Sequence, residues 1–88
     1  MSSVSIVGDV NSGGGVATGS LQTKVTIGGA LVLVDGSPVS SHGLPPHDVV
    51  ITANGSIKVT IGGIPVNRNG DADSCGDTRS SATRVTIG

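Results

Sequence analysis

Val59-Thr60-Ile61-Gly62-Gly63-Ile64-Pro65-Val66-Asn67-Arg68-Asn69-Gly70-Asp71 is the stretch on which the reading of this chain turns. Together with the preceding Ser56-Ile57-Lys58 it places Ile57, Val59 and Ile61 at alternate positions. A strand over these residues would bury that face and leave Ser56, Lys58 and Thr60 on the other. Gly62-Gly63 supplies a two-residue hairpin turn in which positive φ meets no Cβ penalty, and Ile64-Pro65-Val66 begins the return strand. Pro65 has no N–H to give to a ladder, which puts it at a strand start or an edge.

Outward from this hairpin the chain repeats. Residues 32–43, VLVDGSPVSSHG, align without gaps with residues 59–70, VTIGGIPVNRNG, 27 positions further on. A third copy opens 26 positions later as Val85-Thr86-Ile87-Gly88, and Ile6-Val7-Gly8-Asp9 supplies a match to the Gly70-Asp71 that closes the middle copy. The expectation is an all-β, pseudo-three-fold fold closed by pairing of the two chain ends. Lys24-Val25-Thr26-Ile27-Gly28-Gly29 repeats the hairpin opening once more, so the first repeat is expected to hold an extra hairpin ending near Val34. No stretch has a helical period, which leaves little or no helix.

Size and composition agree with such a fold and exclude others. The 88 residues are expected to form a single domain (1–88), and a chain this short buries only about 60% of the surface it would expose unfolded. There is no Phe, Tyr or Trp to give the core bulk, and the one Cys excludes an internal disulfide. A metal or a partner is the remaining usual supplement for so thin a core. Fifteen Gly suggest low complexity, but Val, Ile and Thr total 28, which a disordered chain does not carry. A net charge of −1 with five scattered Lys and Arg offers no stripe for a phosphate backbone, so nucleic acid is not an expected partner. The start, MSSVSIVGDVNSGGG, has no basic segment followed by a long apolar one, so synthesis in the cytoplasm without a signal peptide is expected.

Groups with chemistry are few and clustered. His42, His47, Asp71, Asp73, Cys75 and Asp77 all follow the return strands of the first two copies, in loops that three-fold symmetry would bring to one end. His42, His47 and Cys75 give three of the four ligands a tetrahedral zinc needs, and bound metal can supply much of a small domain's folding free energy. The competing reading leaves both histidines as exposed loop residues and Cys75 as a small buried hydrophobe. A Cys75–His47 nucleophile is formally available but carries no family signature. Asp71 and Asp73 beside Gly70 read as turn residues, and Gly13-Gly14-Gly15, followed by neither Lys-Ser/Thr nor a helix, reads as a flexible turn.

The unit G-S-x-x-V-x-[IV]-x-G-x-P-[VA]-x-R-x-G-D, best kept at residues 55–71 where the namesake tetrapeptide stands as Pro65-Val66-Asn67-Arg68, resembles the PAAR-repeat family. Residues 32–43 form a degenerate copy with Ser41 in the Arg place, and the resemblance runs from Gly8-Asp9 to the final Val-Thr-Ile-Gly. It implies a short cone of β-hairpins whose base sits on a trimeric β-helical spike, one chain per trimer, and whose point holds one structural metal ion, zinc with iron as the alternative. The compact phage-like branch is closest, with H-G, then P-H, then C-G-H and a final V-x-I-G. Carried over, His42, His47 and Cys75 are metal ligands, and Asp77 stands where the branch has His, so either its carboxylate or a water completes the shell. The implied function is to cap and sharpen the spike of a phage tail baseplate or type VI secretion apparatus, at the virion tail tip or secreted, in transient contact with a target envelope and without enzymatic activity. An adaptor that attaches effector cargo is the alternative, and a free-standing metal-binding enzyme the remote one.

Overall fold

In the computed structural model, which describes residues 2–43, 45 and 47–87, every strand is two residues long and no described residue is helical. The strands are β1 (Ser2–Ser3), β2 (Val10–Asn11), β3 (Thr26–Ile27), β4 (Ala30–Leu31), β5 (Pro38–Val39), β6 (Val50–Ile51), β7 (Thr60–Ile61), β8 (Ile64–Pro65), β9 (Arg79–Ser80) and β10 (Thr86–Ile87). They form five antiparallel pairs: β1 with β10, β2 with β9, β3 with β4, β5 with β6 and β7 with β8. The all-β expectation holds. Pro46 of the Pro46-His47 pair and the Gly88 that ends the last Val-Thr-Ile-Gly lie outside the described residues.

Three of the pairs are one hairpin made three times. Gly62 and Gly63 adopt φ of 60° and 81°, and Gly28 and Gly29 adopt 60° and 86°, the two positive values of the turn whose twist suits antiparallel strands. The register is Ile61↔Ile64 with Thr60↔Pro65, and Ile27↔Ala30 with Thr26↔Leu31. It recurs between the chain ends as Ile87↔Ser2 with Thr86↔Ser3, so the third hairpin is split and the expected closure is present.

The spacing of the copies differs from the sequence alignment. Val25 and Val59, 34 positions apart, open equivalent hairpins, and Val32 corresponds to Val66 rather than to Val59. The run at residues 24–29 is therefore the first copy itself, not an extra hairpin. Apolar alternation followed by Gly and Pro occurs both where a strand enters a hairpin and where one leaves it, so the return strand at residues 32–34 imitates an opening strand. The strand expected over residues 56–61 is also shorter. Ser56 is fully buried and its Oγ accepts hydrogen bonds from Lys58 N (3.0 Å) and Val59 N (3.1 Å), which turns the chain before β7 begins. Ile57, expected on the buried face, is 94% exposed. Gln22 Oε1 makes the same turn in the first copy, accepting from Lys24 N and Val25 N.

Beyond the hairpins the return strands meet around a pseudo-three-fold axis. Leu33 N donates to Ser5 O (2.9 Å), Asn67 N to Leu33 O (2.9 Å) and Ser5 N to Asn67 O (3.0 Å), closing a ring of backbone hydrogen bonds through three buried residues. Bridges Val4↔Arg68, Ile6↔Val32 and Val34↔Val66 follow the same cycle. The core is correspondingly thin: Val4, Val32, Val34 and Val66, with Ile6, Ile27, Val59, Ile61, Ile64 and Ile87 partly buried against them. Gly8-Asp9 does correspond to Gly70-Asp71, since Asp9 Oδ2 accepts from Ile6 N (2.9 Å) as Asp71 Oδ2 accepts from Arg68 N (2.7 Å).

At the hairpin end the valines and isoleucines of the three openings, Val25, Val59 and Val85 with Ile27, Ile61 and Ile87, surround a concave apolar cavity of about 350 Å³. Val4, Val32 and Val66 also line it. Val25 and Val85 remain more than 40% exposed there. The remaining strands form a second layer at the other end of a body measuring 32 × 23 × 22 Å.

The hairpin turns give a direct test. A Cβ on Gly63 would meet nothing within 4 Å, so Gly63→Ala carries only the backbone cost of φ +81°. That cost is about 1–2 kcal/mol, with Gly63→Asn milder because Asn tolerates the left-handed region. Thermal melts of the two variants check the order.

Candidate metal centre

The second layer consists of three tight loops. A bridge between Val10 and Val16 closes the first, the β5–β6 pair closes the second, and a bridge between Ala72 and Thr78 closes the third. They are tied to one another by Thr18 N to Pro38 O, Ser74 N to Ile51 O and Ser12 N to Thr78 O, together with the β2–β9 pair. The second loop carries His42 and His47, the third Cys75 and Asp77. His42 N donates to His47 O (2.9 Å), which folds the loop so that both rings face the same way, centroids 4.9 Å apart.

One ligand atom from each of these four residues lies within 4.8 Å of every other. His42 Nε2 is 2.9 Å from Asp77 Oδ2, 3.2 Å from His47 Nδ1 and 3.7 Å from Cys75 Sγ. Asp77 Oδ2 is 3.2 Å from His47 Nδ1 and 3.5 Å from Cys75 Sγ. Zinc bonds of about 2.0–2.1 Å to N or O and about 2.3 Å to S, at tetrahedral angles, put N and O ligands about 3.3 Å apart and S about 3.5–3.6 Å from them. Four of these five edges fall near the tetrahedral values and the His42–Asp77 edge is shorter, at hydrogen-bond length; with His47 and Cys75 also within 4.8 Å of each other, the four atoms could hold a metal ion.

The electrostatics point the same way. His42 Nδ1 donates to Ser40 O (2.9 Å), so Nε2 is the nitrogen that faces the cluster. Its neighbours there are a carboxylate, an imidazole nitrogen and a sulfur, which one N–H cannot satisfy together. The Ser40 carbonyl first, and then the Asp77 carboxylate, hold the His42 pKa above the usual histidine value. The His42 hydrogen bond in turn holds Asp77 below the usual carboxylate range, with Cys75 and His47 adding to it. A proton on His42 or a shared cation resolves the same crowding. His42 is the more enclosed member, with 7% of its side chain exposed, while His47 at 34% forms the rim.

The first loop provides no ligand; it provides room. An added Cβ on Gly13 would stand 2.1 Å from Asp77 Oδ2, and one on Gly15 2.5 Å from His42 Nδ1. Gly13 and Gly15 are thus close-packed against the cluster and not merely parts of a flexible turn, a role that could have been suspected from the one loop of three that lacks a ligand. Asp71 and Asp73 stand apart from the cluster. Asp71 pairs with Arg68 (2.8 Å), as a turn residue would. Asp73 instead forms a fully buried ion pair with Arg79, which the turn reading missed.

The PAAR motif family matches residues 7–79 of the 88. The chain belongs to the PAAR family. Membership implies a place at the tip of the spike of a contractile injection system, associated with that spike, and a structural rather than an enzymatic role. Among the described residues no helix of this PAAR protein is long and apolar enough to cross a membrane. Comparison with curated proteins gave no match.

Two outcomes are expected. Gly15→Ala pushes the His42 ring off its position and, if the cluster holds a metal, weakens that binding by about tenfold or more, measured by chelator competition. Acidification weakens binding too, because the proton that Ser40 and Asp77 favour on His42 competes with the metal; the decline begins at a pH above that at which an ordinary histidine titrates.

Proposed function

We propose that this PAAR protein is the metal-pinned point of a contractile injection spike, one chain capping one trimer of β-helical subunits. The carrying observation is the base. Three equivalent Val-Thr-Ile edges surround an apolar cavity with exposed valines on its rim, so a single polypeptide offers three similar surfaces to three identical chains. Exposed apolar area of this kind marks a contact surface, and its three-fold form suits a three-fold partner. Residues 1–88 act as one PAAR unit, with docking at the hairpin end and the point at the other, where contact with a target envelope is transient.

At the point, His42, His47, Cys75 and Asp77 bind one structural ion. Two imidazoles, one thiolate and one carboxylate suit zinc, with iron second. The ion crosslinks loops that have no apolar core of their own, which stiffens a narrow end that must bear load. Four protein ligands fill the tetrahedral shell, with Asp77 rather than a water in the fourth position, and a closed shell is that of a structural site. The system is a phage tail baseplate or a type VI apparatus.

Attachment of effector cargo is a second role, favoured by one feature. Ile57 is 94% exposed, while the corresponding positions of the other copies are Thr23 and Thr83. It breaks the three-fold pattern at an exposed position, which suits a contact made once per assembly.

Elemental analysis is expected to find one metal per chain. Metal at a thousandfold its dissociation constant stabilises by about 4 kcal/mol, and each kcal/mol moves the melting midpoint of a domain this size by about 4–8 °C. Chelation should therefore lower the midpoint by on the order of 20 °C, and an unchanged melt would sink the metal reading. Docking separates from it cleanly. Ile61→Asp should abolish binding to a trimeric spike fragment while the metal stays, and His42→Ala should lose the metal while spike binding persists; a complex of other than one chain per trimer would refute the cap.

A further inference from the structure

Beneath the proposed metal site lies a polar cluster that neither the fold nor the ligand set explains. Asn11, Asp73 and Arg79 are each at most 3% exposed, and the side chains of Asp73 and Arg79 are entirely buried. Asp73 Oδ2 accepts from Arg79 Nη2 and from Asn11 Nδ2 (2.9 Å). Arg79 Nη1 donates to Asp9 O (2.8 Å). Among the described residues Asp73 Oδ1 and Arg79 Nε find no hydrogen-bond partner. A buried ion pair with orphaned atoms gains little stability over apolar residues of the same volume, so its value must lie elsewhere.

Besides the Arg79 contact with Asp9, connections of this cluster lead to the metal site. Asn11 Oδ1 accepts from Gly13 N (3.0 Å) and Gly15 N (2.8 Å), which fixes this glycine wall against Asp77 and His42. Asp73 N donates to Asp77 O (2.7 Å) and Asp73 O accepts from Gly76 N (2.9 Å), which shapes the turn that carries Cys75 and Asp77. Arg79 grips the other end of that turn through its backbone, donating from N to Asp71 O (2.8 Å). Resting on the reading of the tip as a metal centre, we infer that Asn11, Asp73 and Arg79 are positioning residues: they lock the ligand turn and the glycine wall together so that the four ligand atoms hold a tetrahedron.

The geometry assigns different work to the two halves of the cluster, and that allows the test to survive a folding failure. In Asp73→Leu/Arg79→Met both charges go together, so no lone charge is left buried. In Asn11→Ala the ion pair stays, and the Asn11 side-chain links to the wall and to Asp73 are cut. Each variant is loaded with cobalt(II), and three quantities are measured: the visible absorption of the cobalt–thiolate centre, the rate of metal release to a chelator, and binding to a trimeric spike fragment. Disturbing groups that orient metal ligands lowers affinity by about 10–100-fold, so release at least tenfold faster and shifted cobalt bands are expected, with spike binding unchanged. If the double variant does not fold, Asn11→Ala decides. Unchanged release and unchanged bands in a folded variant would overturn the positioning role alone. Failure of the unsubstituted chain to bind cobalt or zinc would instead overturn the metal reading on which it rests.

Discussion

Three backbone hydrogen bonds, between Leu33 N and Ser5 O, Asn67 N and Leu33 O, and Ser5 N and Asn67 O, close the ring on which the rest of this molecule depends. Two-residue strands and isolated hairpins are not stable in water by themselves. Here each return strand donates to one neighbour and accepts from the other, so no copy can leave without breaking two of the three bonds and opening the ring. Because the ring is made of backbone, its side chains are free to differ, and they are Ser, Leu and Asn. Order in this protein therefore comes from pairing that closes on itself more than from apolar volume, which is why a central cluster of four valines without one aromatic ring is enough.

The ring also divides the chain into two ends under opposite demands. At the base the copies must stay alike: Val-Thr-Ile occurs three times in the same register, one of the three assembled from the two ends of the chain. At the point they must differ. A tetrahedral ion needs four ligands, three loops cannot share four equally, and identical loops would crowd one another at the axis. The chain solves this by division: one loop gives His42 and His47, one gives Cys75 and Asp77, and one gives only the space that Gly13 and Gly15 leave open. The three-fold likeness is thus kept at the hairpin end and abandoned at the cluster of His42, His47, Cys75 and Asp77.

What could be read from the sequence follows from the range over which each feature acts. Gly62-Gly63 is legible because two adjacent residues decide a hairpin turn. The gathering of His42, His47, Cys75 and Asp77 at one end needed only the order of loops around a repeat, and the resemblance of their motif to the PAAR pattern. The spacing of the copies was not legible, since apolar alternation with Gly and Pro marks both opening and return strands, and only the pairing of Val25 with Val32 across a turn tells them apart. Ile57 was misplaced because alternation was assumed to begin before Val59, whereas the Ser56 hydroxyl bends the chain there. Asp73 with Arg79 and Gly13 with Asp77 were hidden more deeply: each pair is decided by tertiary contact, and Asp beside Gly looks the same in a turn as in a buried ion pair.

Asp77 in the place of an imidazole changes the charge of the point. A divalent cation held by a thiolate and a carboxylate would form a neutral set, and the Asp73–Arg79 pair is neutral as well. With imidazole in that position the centre would carry one net positive charge close to a buried arginine. The carboxylate has a second consequence. Without an ion, a protonated His42 donates to Asp77 over 2.9 Å, and the raised His42 and lowered Asp77 pKa values both favour that state. The His42–Asp77 contact thus ties the second loop to the third, in an arrangement of four ligand atoms that could hold a metal ion.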